Sequence, residues 1–409
     1  MKIENKICFF LNWSREIDMY LNIYKKFPKE QIIFLINNFN QDLNSFSKDI
    51  KDIENYLKKN DFNYDYLSEI YGKKKFKLLI STGDLPIKNF KLKNFIKYLY
   101  AKTFGIFIEM TNLNSIFKNK YGRDFTAGGH NAKFFGEELI EKKISIQTVK
   151  FPNGLDRNVK YFPNKTWKDI FDFYFTSSLM ENELIKKKFP KKKTFYIGYT
   201  RFNETDKQEE EIIKKEFNFD STKETIYCSP SEWIMKLQNE SSIISYINFL
   251  KLLDKRFNLV LRPHPKLKYT KFDYFKFLKD SGLNLDLNPF RKLHNLFNIS
   301  NLIITDFGSS VLEAIYLKKK ILIYNWQDEE NHRIKLDKMN SLDGLIRNEL
   351  LNINDIQINN YTEYVYDLIR NKDYQNKVES LNLNLFGEAK KYMDPFDVIK
   401  NIYEKTNTL

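Results

Sequence analysis

Leu302-Ile-Ile-Thr-Asp-Phe-Gly-Ser-Ser-Val-Leu-Glu313 is the stretch on which the reading of this chain turns. Its apolar opening is too short for a helix and stops in a polar Asp-Phe-Gly turn. Ser310-Val-Leu-Glu313 then has the form of a capping box, serine as N-cap and glutamate at N3. A strand therefore runs through a turn into a helix. Upstream, Asn258-Leu-Val-Leu-Arg-Pro-His-Pro265 is a second apolar strand, ended by a turn that two prolines stiffen. Both turns are expected on one edge of a parallel sheet, where open α/β sheets bind ligands. A helix start there attracts phosphate through its unpaired N–H groups and its dipole. The expected ligand is a phosphorylated, nucleotide-linked small molecule.

Outward from these turns the pattern repeats. Strands are expected at 225–228, 259–261, 302–304 and 321–324, with helices near 242–255, 272–279, 290–297 and 310–317, and a mostly helical region from 361 onward. The N-terminal half alternates likewise, with strands at 7–11, 32–36, 78–80, 171–175 and 195–198. Helices are expected near 15–27 and 43–58, and residues 95–110 read as a helix running into a buried strand. Strand–helix–strand repetition of this kind argues for doubly wound parallel sheets. The stretch 203–215 is highly charged without apolar periodicity and reads as a solvated connector.

A chain of 409 residues with 42% hydrophobic content should form two domains rather than one core or a disordered coil. Lys+Arg exceed Asp+Glu to give a net charge of +14, which favours polyanions, an acidic membrane face or a phosphate-rich substrate. The basic residues are dispersed and no nucleic-acid-binding motif is present, so nucleic acid is not an expected partner. Cys8 and Cys228 sit in separate apolar strands and read as buried hydrophobes of a reducing compartment, not as a disulfide or metal pair. No secretory h-region follows Met1 and no apolar run reaches membrane-spanning length. A cytoplasmic location is expected, with peripheral attachment to the inner face of an anionic membrane compatible with the charge.

The candidate chemistry gathers in three places. Gly308 lets backbone approach a ligand, and Thr305, Ser309 and Ser310 bring hydroxyls to where an anion would rest. Arg262 can fork onto phosphate oxygens, and His264 can donate to a diphosphate or protonate a leaving group. His130, within Gly128-Gly-His-Asn-Ala-Lys133, suits a general base for a substrate hydroxyl, with Lys133 near an anionic acceptor. Glu109 is the second candidate for that base. His294, on an amphipathic helix, reads as structural, and His332 as a surface residue.

Taken in order, Tyr196-Ile-Gly-Tyr-Thr-Arg-Phe202, Tyr227-Cys-Ser-Pro230, Arg262-Pro-His-Pro265, the 305–313 segment, Lys320-Ile-Leu-Ile-Tyr324 and Phe386-Gly-Glu-Ala389 resemble the CDP-glycerol glycerophosphotransferase family. That family builds teichoic-acid-like and capsular polyol-phosphate polymers. The resemblance implies a GT-B-like α/β architecture, two Rossmann-like doubly wound domains facing a central cleft. It implies an acceptor-side domain over 1–205, a nucleotide-donor domain over 216–380, and a helical segment over 381–409 that packs back on the first. It further implies that Arg262 and His264 engage the donor diphosphate together with Ser309 and Ser310. Ser229 and Ser231 would line the opposite side, and Glu313 would reach the ribose. The family's histidine motif, His-Gly-Thr-Pro-x-Lys, differs from Gly-His-Asn-Ala-Lys here. The implied reaction moves glycerol phosphate, or a related polyol phosphate, from a CDP-activated donor to a hydroxyl of a cell-surface glycan, with no metal and no cofactor. A CMP- or UDP-sugar transferase is the alternative.

Overall fold

The computed structural model describes residues 1–38, 44–83, 87–88, 92–111, 113, 137–138, 140–152, 171–202, 207–231, 240–264, 274–288, 290–306, 308–325, 346–347, 349–354, 360–388 and 392–406. The first half of the chain supplies β1 (Lys2–Leu11), β2 (Ile32–Ile36), β3 (Tyr64–Tyr66), β4 (Lys74–Ser81), β5 (Ile87–Lys88), β6 (Glu137–Glu138), β7 (Ser145–Lys150), β8 (Phe173–Thr176) and β9 (Lys193–Tyr196). Seven of these form one sheet in the order β3-β2-β1-β4-β7-β8-β9, every pairing parallel. β5 and β6 pair separately as a short antiparallel ribbon.

Alternation along β1 explains why both sheet faces are covered. Ile7, Phe9 and Leu11 enter one core, together with Ile17, Tyr20, Ile53 and Leu57 from the helices Arg15–Tyr24 and Asn44–Lys59. Cys8 and Phe10 enter another, with Leu67, Ile70, Ile140 and Ile144. A strand buried on both faces reads as a continuous apolar run, which is what the sequence shows.

The second sheet is built from β10 (Thr225–Ser229), β11 (Asn258–Leu261), β12 (Leu302–Thr305), β13 (Lys320–Asn325) and β14 (Leu351–Asn354). Its order is β11-β10-β12-β13-β14, again parallel throughout. Ile226, Leu259, Leu302 and Leu322 face one core, and Tyr227, Val260, Ile303 and Ile321 the other. Two doubly wound parallel sheets are the fold class the sequence implied. The last helix, Pro395–Lys405, returns to the first sheet, where Val398, Ile399, Ile402 and Tyr403 join its core and the Tyr403 hydroxyl donates to the Asn5 carbonyl at 2.8 Å. Both cysteines are free and buried, and burial raises the pKa of each thiol.

Three local expectations are corrected. The charged stretch 203–215 contains a docked helix, Lys207–Glu216, with Ile213 fully buried. Its Glu209 accepts from Asn295 at 2.7 Å, so polar contacts and one apolar anchor replace the missing periodicity. Residues 95–110 form no strand, because a single helix spans Leu92–Met110. The capping box also fails: the helix Ser309–Tyr316 has Gly308 as N-cap, with φ at 105°, a conformation that favours glycine. Glu313 is drawn inward instead, its Oε1 accepting from the Tyr199 hydroxyl at 2.9 Å.

Candidate nucleotide-phosphate site

The second sheet reverses its winding between β10 and β12, since β11 is laid down on one side of β10 and β12 on the other. A crevice at such a switch point, beyond the carboxyl ends of the strands, is where ligands settle in doubly wound folds. The candidate serines meet there. Ser229, at the end of β10, has its hydroxyl 3.2 Å from that of Ser310 in the first turn of the helix Ser309–Tyr316. The Thr305 hydroxyl donates to the Ser229 carbonyl at 2.8 Å. The Ser231 N–H donates to Asp306 Oδ1, also at 2.8 Å. Asp306 is almost fully buried, so its carboxylate anchors the loop after β10 against the turn after β12. Ser309 and Ser310 remain half-buried at the helix start.

His264 leaves the same edge. β11 and β12 flank β10 on its two sides, so their ends lie about 10 Å apart, two strand spacings. The Arg262 N–H donates to the Cys228 carbonyl at 2.9 Å, which holds the start of the Arg-Pro-His turn against β10. His264, two residues on, is half-buried.

Arg262 itself takes another course. Its Nη1 donates to Asp286 Oδ2 at 2.7 Å, with both side chains nearly excluded from solvent. Asp286 also accepts from Arg291 Nε at 2.9 Å, and Arg291 reaches Glu216 at 2.7 Å. The Arg262 Nη1 is thus committed to a buried carboxylate that requires a counter-charge, not to the open edge of the sheet. The Arg262 charge also acts on the buried Tyr227. Burial pushes that phenol up to about 12, with Arg262 and a contact to Ser229 pulling against it. Glu313 is also displaced from its implied role at a ribose. It is buried beside Tyr199 and lies 3.9 Å from Arg201, whose Nε binds Asp18 of the first half at 2.7 Å. Gly198, at φ 68°, turns the chain into this junction, where an added Cβ would lie 3.2 Å from the Tyr316 hydroxyl. The Tyr-Ile-Gly-Tyr-Thr-Arg-Phe motif is thus the pivot between the sheets.

His130, Lys133 and His332 lie outside the described residues, as does the side chain of Glu109. His294 is buried with its ring 5.5 Å from that of Phe202, as expected of a structural histidine.

The first sheet has its own switch point, between β1 and β4, and sequence reasoning passed over it. Glu16, fully buried, accepts from the Asn12 N–H, the Trp13 N–H and the Thr82 hydroxyl. Asn37 Nδ2 donates to Asn12 Oδ1 at 2.7 Å, leaving the buried Asn12 Nδ2 without a hydrogen-bond partner among the described residues. The run Leu11-Asn-Trp-Ser14 after an apolar strand was the available signal.

Close by, burial raises the Glu141 carboxyl to about 6, while Ser81 at 3.4 Å and Lys150 act to lower it. A carboxyl whose folded pKa exceeds its unfolded value costs nothing while both states are protonated. The cost sets in above the unfolded value near 4.5 and is complete above about 6, at roughly 2 kcal/mol. Glu141→Gln should therefore raise Tm by roughly 4–8 °C at pH 8 and leave it unchanged at pH 4. Equal shifts at both pH values in a thermal scan would assign the effect to packing.

Comparison with known proteins bears on the family and the fold. A model of the CDP-Glycerol:Poly(glycerophosphate) glycerophosphotransferase family matches residues 19–346. Among curated proteins no sequence match is found. Among solved structures, a histidine-to-asparagine variant of the wall teichoic acid polymerase TagF soaked with CDPG superposes with a TM-score of 0.57 at 14% identity, covering 99% of this chain and 89% of that one. TagF without substitution gives 0.52 at 13%, with coverage of 99% and 89%. A UDP-GlcNAc 2-epimerase from Neisseria meningitidis gives 0.48 at 13%, with coverage of 99% and 100%. The TagF likeness reports the fold, and the family model reports the lineage over most of the chain. The chain belongs to the CDP-glycerol:poly(glycerophosphate) glycerophosphotransferase family and is a transferase.

Proposed function

We propose that the donor pyrophosphate of CDP-glycerol rests at the carboxyl edge of the second sheet, against Ser229, Ser231, Ser309, Ser310 and His264. Thr305 and Gly308 shape the turn beneath it. The observation that carries this is the meeting of the Ser229 and Ser310 hydroxyls at the β10/β12 switch point, with Ser231 and Thr305 tied into the same turns. In the transfer, an acceptor hydroxyl oxygen bonds to the phosphorus of the glycerol phosphate group. The bond from that phosphorus to the bridging oxygen breaks, and CMP departs. Phosphoryl transfer of this kind is catalysed mainly by positioning and by stabilising charge on the departing group. His264 supplies a proton or hydrogen bond there, and helix N–H groups supply fixed dipoles. His130 is the proposed base for the acceptor hydroxyl, with Lys133 beside the acceptor. The units over 1–205 and 216–380 take the acceptor and donor sides. Incubation with CDP-glycerol and a polyol-phosphate acceptor should release CMP and lengthen the acceptor by glycerol phosphate masses. Absence of both products would sink the reading.

The same reading includes attachment at a membrane surface through the helix Leu92–Met110. Ile96, Leu99, Tyr100, Phe104, Ile106, Phe107 and Met110 are all exposed on it, and lysines stand at 93, 97 and 102. Apolar side chains with lysines among them suit the interface of an anionic bilayer. No helix among the described residues is long and apolar enough to cross a membrane. The double variant Phe107→Glu/Met110→Glu should weaken sedimentation with anionic vesicles at least about tenfold, given roughly 1.5–3 kcal/mol for each large apolar side chain buried. Unchanged sedimentation would remove this helix from the account.

A further inference from the structure

A cavity of about 500 Å3 opens between the two halves of the chain, apart from the serine cluster. The helices Arg15–Tyr24 and Asn44–Lys59 form one wall, with Asp18, Asp52, Tyr56 and Asn60. Glu209, Asn288, Phe290 and Lys292 form the other. Its volume falls within the range of small-molecule sites.

The lining chemistry runs against the net charge of the chain. In a chain of net charge +14, three carboxylates, Asp18, Asp52 and Glu209, face two ammonium groups, Lys59 and Lys292. Asp52 is half-buried, and among the described residues it has no hydrogen-bond or ion-pair partner. A carboxylate so placed has acceptor capacity left for a ligand. The Tyr56 phenol lies within the influence of Asp18 and Glu209, and burial with those two charges raises it above its ordinary value. The Tyr56 ring stacks on Phe290 with centroids 4.7 Å apart, joining the two walls. Carboxylate acceptors, amides that both donate and accept, and apolar ring edges together match hydroxyl groups on a carbon skeleton. They do not match a phosphate, which the carboxylates repel.

We propose that this interdomain cavity is a binding site for a neutral polyhydroxylated ligand, a saccharide unit. In the transferase reading, on which this assignment of meaning rests, the unit belongs to the acceptor. Asp18 links the cavity to the proposed donor site, since it pairs with Arg201, which adjoins Glu313 one turn below Ser309 and Ser310.

Saturation-transfer NMR tests the binding without turnover, using methyl glucoside, methyl N-acetylglucosaminide and glycerol 3-phosphate as probes. At least one neutral probe should give signal that persists in saturating CDP-glycerol. The signal should fall at least fivefold in Asp52→Ala/Asn288→Ala, a variant with one change in each wall and none in a core. No signal from either neutral probe, or signal indifferent to the variant, overturns the proposal. So does displacement by CDP-glycerol, which would place the probe in the donor site. Glycerol 3-phosphate binding that is lost in the variant would make the cavity an anion site and overturn it as well. Failure of CMP release with sugar binding intact would refute the transferase reading alone.

Discussion

Replacing His264 with alanine is expected to lower the rate of CMP release from CDP-glycerol by about 10²–10⁴-fold, the usual worth of a positioned acid or base. The loss should fall on kcat more than on KM. The imidazole is proposed to act as negative charge gathers on the departing CMP, a state the bound donor has not reached. The Arg262 N–H ties the start of the turn to β10 at 2.9 Å, and Pro263 restricts the backbone just before His264. The residue is half-buried and lies beyond the end of β11, so the core should survive and Tm should move little. His264→Gln, which keeps a hydrogen-bond donor but cannot give up a proton at neutral pH, should recover part of the loss if charge stabilisation dominates. A variant with unchanged kcat and raised KM would reduce His264 to a binding residue.

Asp286→Ala should destabilise the protein by about 3–5 kcal/mol, the cost of breaking a buried ion pair from one side. Asp286 is almost wholly buried and holds both Arg262 and Arg291. Removing it leaves two guanidiniums close together in a site nearly closed to water, with Glu216 as the remaining carboxylate on Arg291 among the described residues. Denaturant unfolding of the second half's transition is the measurement. Because the Arg262 N–H holds the start of the Arg-Pro-His turn against β10, loss of its side-chain anchor should loosen the proposed donor site too, and KM for CDP-glycerol should rise in whatever fraction remains folded. Wild-type stability would mean that this pair contributes little and that Arg262 is free to turn toward a ligand after all.

Most strands of the two sheets were legible because each is a short apolar run bounded by turn residues, but β7 and β14 were not, since Ser145-Ile-Gln-Thr-Val-Lys150 and Leu351-Asn-Ile-Asn354 interleave polar residues. Ile32–Ile36 matches its expected limits in full, and Leu302–Thr305 differs by one residue. β3 was not legible, since Tyr64-Asp-Tyr66 is a half-buried edge strand whose composition resembles a turn. The helix Lys207–Glu216 was missed for a related reason. One buried isoleucine cannot produce a periodic signal, and its docking depends on Asn295 and Asn298 from a distant segment.

The site divides in the same way. Serines and a histidine at strand ends can be read from local pattern, because the end of a parallel strand always points to the ligand-bearing edge. The inward turn of Arg262 and Glu313 could not be read, because each is decided by a partner remote in sequence, Asp286 in one case and Tyr199 in the other. Order along the chain was enough to determine two doubly wound sheets and the strand–turn–helix that opens on β12, since hydrophobic period and turn chemistry act over a few residues, whereas the glycine at the helix start was not read. Which cations stay available to a ligand was decided only on folding. A buried carboxylate takes the nearest guanidinium in space to offset its desolvation, and nearness in space does not exist until the chain has packed.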